Sequence, residues 1–125
     1  MGAADYIDAL RVRGVMTAKF LADSMEGIDL LHLPTSPCLP PTLLESDMEH
    51  ADSETLLTLF SRLTQLTRPF NFLGLPAIGT PCGFSSSGLP LSYQLVGHPF
   101  AEATLLHVVD AYQRATDFHR ATPAL

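Results

Sequence analysis

Proline placement limits this chain more than any other feature. Pro34, Pro37, Pro40 and Pro41 all fall within residues 34–52. Proline has no backbone N–H and clashes with the preceding helical turn, so this stretch can be neither regular helix nor central strand. It is expected to be a long loop, and such loops in compact proteins are usually functional or pinned by their neighbours. A second set of breakers, Thr67-Arg68-Pro69 and Gly74-Leu75-Pro76, interrupts the remainder. Regular structure is therefore confined to what lies before and between these breaks.

Residues 5–26 read as a long helix, with Asp5 placed to cap its start and Gly27 suited to a left-handed C-terminal position. One apolar stripe runs through Tyr6, Leu10, Gly14, Leu21 and Met25, and a second, on another face, through Val12, Met16 and Phe20. Apolar groups on two faces predict packing against two neighbours. Ile28 to Leu33 is a short apolar run suited to a strand in a buried sheet. Ser53 is placed to cap a helix over about 54–66, with Leu56, Leu59, Phe60 and Leu63 on one face. Ala77–Phe84 and Pro90–Val96 read as strands joined by the turn Ser85-Ser86-Ser87-Gly88, a hairpin. Gly97-His98-Pro99 ends the second strand, and residues 101–116 form a last helix with Ala101, Leu105, Val108, Val109 and Tyr112 inward. The order helix, strand, helix, strand, strand, helix defines an α/β fold with a small mixed sheet, its hairpin covered by helices, as a single domain over residues 1–125.

The composition narrows the function. Hydrophobic residues are 46% and charged residues 16% of the 125, whereas a stand-alone domain carries about 25% charged residues. Part of the surface is thus expected to be covered by something else. A net charge of −6 without a basic stripe argues against nucleic acid and anionic membranes. Cys38 and Cys82 form no CxxC pair, which suits a reducing, cytoplasmic setting. The N-terminal residues have no signal-peptide character, and no apolar run reaches the length of a membrane span.

No complete catalytic constellation emerges. Ser85, Ser86 and Ser87 invite a nucleophile reading, but they lack the G-x-S-x-G spacing and read more simply as a polar hairpin tip. Lys19, the single lysine, reads as a surface side chain rather than a buried base. Among His32, His50, His98, His107 and His119, no pair has the spacing of two metal ligands on one helical turn. The cluster Asp47, Glu49, His50, Asp52 and Glu54 reads as a solvated loop leading to a helix N-terminus, not a metal site. Cys82 reads as a packed thiol.

A longer pattern carries more information. Thr67-Arg-Pro-Phe-Asn71-Phe-Leu-Gly74-Leu-Pro76-Ala77 is followed by Pro81-Cys82-Gly83, Gly88-Leu89-Pro90 and Gln94-Leu95-Val96-Gly97, then by Glu102 and Leu105-Leu106. Upstream stands Asp29-Leu30-Leu31 with Pro34-Thr35, after a helix bearing Arg13 and Phe20. Taken in this order, these pieces resemble the C-terminal portion of the amidase-signature family over nearly the whole chain. Two positions depart from the pattern: His98 stands where arginine is common, and Ser92 where glycine is frequent.

The resemblance implies a parent that hydrolyses a carboxamide without a cofactor, through a Ser–Ser–Lys triad and a Gly/Ser-rich oxyanion loop. None of those residues maps onto this sequence, so no catalytic residue is carried over and the chain alone is expected to be inactive. Position in the family fold places Thr67, Asn71 and the 34–42 loop nearest to a substrate funnel. Expected partners are the missing N-terminal part of the enzyme or a second copy of the chain. One alternative is a non-catalytic interaction module that self-associates. Another is part of a protein of the glutamyl-tRNA(Gln) amidotransferase kind, which releases ammonia from glutamine beside partner subunits.

Overall fold

A computed structural model describes residues 2–47, 49 and 52–122. Helix α1 spans Ala3–Ser24, strand β1 Leu30–Pro34, helix α2 Ser53–Leu63, helix α3 Arg68–Leu73, strand β2 Ala77–Phe84, strand β3 Pro90–Gly97 and helix α4 Glu102–Ala115. A 3-10 turn, Phe118–Arg120, follows α4. The strands form a three-stranded sheet in the order β1-β3-β2.

The α/β class and the hairpin are as the sequence predicts. Both pairings are antiparallel, however, where a mixed sheet was expected. Strand direction depends on how the long connections return, and residue pattern alone does not encode that. Gly88 closes the hairpin with φ of 80°, its N–H donating to the Ser85 carbonyl at 3.0 Å. The β2–β3 ladder slips between Pro81 and Gly83, which is where a residue without an N–H interrupts pairing.

The sheet has two covered faces. On one, Val96 packs with Phe70, Leu73 and Leu75, joined by Leu31, Leu33, Phe20 and Leu21. On the other, Tyr93 and Leu95 pack with Leu105 and Val109 of α4, joined by Leu30, Ile78, Cys82 and Tyr112. The alternation along β3 puts neighbouring residues on opposite faces, so this central strand contributes to both cores.

Gln94 is the polar exception within β3, at 4% exposure. Its Nε2 donates to the Pro34 carbonyl at 3.2 Å and to the Leu66 carbonyl at 2.8 Å. One side chain thereby ties the end of β1 and the link between α2 and α3 to the middle strand.

Several local expectations shift. The α1 cap is Gly2, and Asp5 sits a turn in, accepting the Gly2 N–H at 2.7 Å. Asp52, not Ser53, caps α2: its carboxylate accepts from Thr55 N at 2.9 Å and Thr55 Oγ1 at 2.6 Å. Residues 68–73, expected to be irregular after Pro69, form α3. Proline in the first helical turn loses no intrahelical bond, and Gly74 ends the helix at φ 71°. A Cβ at Gly74 would meet only the mobile end of Arg13, so it is the left-handed φ that calls for glycine at position 74.

Helix α1 differs most from expectation. Met25, just past its end, is fully buried, but α1 itself contains no buried residue. Its later turns meet α3, where Thr17 Oγ1 donates to the Leu73 carbonyl at 3.1 Å. Tyr6, Ile7, Leu10, Val12, Val15 and Met16 remain 45–69% exposed. The predicted second neighbour is not among the described elements.

The Gln94 tie makes a direct prediction. Gln94→Leu strands two carbonyls and should lower stability by about 1–3 kcal/mol. Ser87→Ala at the hairpin tip should stay within about 0.5 kcal/mol. Urea unfolding followed by far-UV circular dichroism measures both.

Candidate functional site

An apolar concavity opens where β1 gives way to the proline-rich loop. Pro34 still pairs with Tyr93, and the Thr35 N–H donates to the Ser92 carbonyl at 3.2 Å. With Gln94 holding the Pro34 carbonyl, the loop leaves the sheet along a fixed path. Within the loop, Ser36 Oγ accepts the Cys38 N–H at 3.4 Å. The result is a cavity of about 740 Å³ between the loop, the start of β3, the last turn of α2 and α4.

Tyr93 is central to its floor. The His32 ring lies 4.6 Å from the Tyr93 ring, and Tyr112 meets it edge-on at 5.1 Å and 86°. Cys82, at the ladder irregularity of β2, and Cys38, on the loop, both line the same space. Pro34, Pro40, Pro41, Pro90, Leu63 and Leu91 supply most of the remaining wall. Burial, with Tyr112 and Cys82 alongside, pushes the Tyr93 phenol above its ordinary range. It stays a neutral donor at any physiological pH.

The residues singled out from sequence fall as follows. The 34–41 part of the loop lines the cavity, whereas Thr67 and Asn71 do not. Thr67 is half-buried at the head of α3, its hydroxyl donating to the Thr64 carbonyl at 3.2 Å, and Asn71 is exposed on that helix. Ser85 Oγ accepts the Leu89 N–H at 3.1 Å and lies 2.9 Å from Ser87 Oγ, a network internal to the turn. Lys19 is 75% exposed and pairs with Asp23 at 2.6 Å. His98 bonds the Ile28 carbonyl through Nε2 at 2.8 Å, pinning the chain that enters β1. In the acidic cluster, Asp47 accepts the Glu49 N–H at 2.9 Å and Asp52 caps α2, while His50 lies outside the described residues.

Sequence reasoning missed His32, Tyr93 and Tyr112 as cavity residues. Tyr112 read as a core position of the last helix, and Tyr93 as one residue of the hairpin's second strand. No motif joins positions so far apart in the chain.

The site now has relatives. A family model for Amidase matches residues 1–106, and the chain belongs to the amidase family. The A subunit of glutamyl-tRNA(Gln) amidotransferase from Moorella thermoacetica is 43% identical over 122 residues, covering 98% of this chain and 23% of that protein. Its Chloroflexus aggregans counterpart is 45% identical, again covering 98% of this chain and 23% of its own length. Among solved structures, 6-aminohexanoate cyclic dimer hydrolase superposes with a TM-score of 0.74 at 30% identity, over 97% of this chain and 25% of that one. The A subunit of the Thermotoga maritima glutamyl-tRNA(Gln) amidotransferase superposes with a TM-score of 0.62 at 31% identity, over 82% of this chain and 20% of that one. The chain thus spans about a quarter of the length of these relatives.

The Tyr93 environment gives a pH prediction. A phenol whose folded pKa lies above its ordinary 10.0 keeps its proton longer folded than unfolded. Stability is therefore intact below the ordinary phenol range and falls as pH rises through it. Denaturant midpoints from about pH 9 to about pH 11 should drop, and should drop less in Tyr93→Phe.

Proposed function

We propose that this chain is the C-terminal portion of an amidase-type hydrolase and is inactive by itself. The observation that carries this reading is its fit, over 97% of its length, onto a quarter of 6-aminohexanoate cyclic dimer hydrolase, together with the Amidase family match over residues 1–106. The parent would cleave a carboxamide by acyl transfer to serine, without a cofactor, as a soluble cytoplasmic enzyme; among the described residues no helix is long and apolar enough to cross a membrane. A glutamine-dependent amidotransferase is the other parent compatible with the curated relatives. The Ser85 and Ser87 hydroxyls bond within their own turn, and without the family's base and oxyanion loop little is left to lower an acyl-transfer barrier. This chain's contribution is structural: strands for the sheet and one wall of the substrate funnel. Thr67 at the head of α3 and Asn71 on that helix lie outside the cavity lined by the 34–41 loop, and their nearness to the funnel rests on the family resemblance.

The surface supports the same reading. β1 stands at the end of the sheet order with half-buried leucines and exposed His32 and Pro34, and among the described residues its outer edge is unpaired. An open strand edge recruits another strand. The exposed apolar row on α1 adds to it. In the isolated chain a second copy is the available cover, and two-fold pairing is the commonest arrangement.

Two outcomes follow. A serine-directed fluorophosphonate should leave the chain unlabelled, and simple amides should be hydrolysed at background rate; stoichiometric labelling of Ser85, Ser86 or Ser87 contradicts the proposal. In sedimentation at micromolar concentration the chain should be a dimer or larger, weakened by Leu10→Asp far more than by Glu49→Ala. A cooperative, well-folded monomer refutes self-association.

A further inference from the structure

We propose that the cavity wall supplied by this chain accepts an uncharged carboxamide with an apolar acyl body and turns away zwitterionic amides such as glutamine. The inference rests on the amidase reading above and selects between the two parents it allows.

Charge is the first constraint on what this cavity can hold. Among the described residues, no Asp, Glu, Lys or Arg lines the cavity. An ammonium entering this space gives up hydration and meets no carboxylate, and a carboxylate meets no Lys or Arg and only the His32 ring, a penalty that a neutral amide escapes.

The second element is the polar handle. Tyr93 is 8% exposed, lines the cavity, and its hydroxyl has no hydrogen-bond partner among the described residues. Tyr112 packs edge-on beside it, its hydroxyl likewise unpartnered. A phenol donates to a carboxamide oxygen and accepts from its N–H, so one neutral group meets both halves of an amide. Held on the central strand between the His32 and Tyr112 rings, Tyr93 is ordered before a ligand arrives. Proline and leucine walls suit the aliphatic remainder. Few polar groups in an apolar concavity is the usual make-up of a small-molecule site.

The test is an NMR titration of the 15N-labelled chain with hexanamide, L-glutamine and hexanoate. Hexanamide should give saturable shifts at Tyr93, Leu91, Cys82 and Tyr112, with glutamine and hexanoate weaker by about tenfold or more. Tyr93→Phe should weaken hexanamide by about threefold to tenfold, the loss of one neutral hydrogen bond. Leu63→Arg, at the end of α2, is the second variant: it should weaken hexanamide and strengthen hexanoate. Glutamine binding as tightly as hexanamide, or hexanamide shifts that map away from Tyr93 or never saturate, overturns the proposal. Fluorophosphonate labelling of the hairpin serines would sink the proposed function and leave these shifts standing, so the two failures are distinguishable.

Discussion

The carboxamide of Gln94 is the interaction on which the arrangement depends. It sits in the central strand, buried, and both of its bonds run to backbone carbonyls far away in sequence. One fixes where β1 ends and the proline-rich loop departs; the other fixes the approach to α3. A strand of this length has few ways to position two loops at once, and a planar amide with two N–H donors is one of them. Replacing it with an apolar side chain would keep the packing volume and lose the register of both connections. The cavity forms between the elements those connections lead to.

A core made this way is complete in the middle and unfinished at the margin. Val96 and Leu95 are almost wholly enclosed on their two faces of the sheet. Along α1 the balance reverses, with six large apolar side chains between Tyr6 and Met16 open to solvent. Each forfeits up to about 1.5–3 kcal/mol of burial, against a net stability of about 5–15 kcal/mol for a typical domain. The chain aligns with only about a quarter of its relatives, and the proposed missing portion or a second copy would cover such a surface. The low fraction of charged residues fits the same proposal at the level of composition.

Much of this fold could be read from local chemistry. The hairpin followed from two strand-like runs joined by the Ser85-Ser86-Ser87-Gly88 turn, and α4 from the spacing of Leu105 and Val109. The α3 helix did not, because Pro69 is a breaker anywhere except in a first turn, and only the structure shows that it occupies one. The α2 cap was off by one residue because Asp52 and Ser53 are both good caps and only the geometry around Thr55 separates them. Strand direction and the neighbours of α1 depend on long-range closure. The cavity was legible in part: its loop was marked by prolines, whereas His32, Tyr93 and Tyr112 converge through sheet register and helix packing.

The central claim is that this chain is one portion of an amidase fold whose open margin is a contact surface. The most direct measurement titrates it into the Moorella thermoacetica relative expressed without its equivalent segment, followed by analytical ultracentrifugation. The account predicts a saturable one-to-one complex, weakened by Leu10→Asp. No complex at any concentration, with the chain a dispersed monomer throughout, would contradict it.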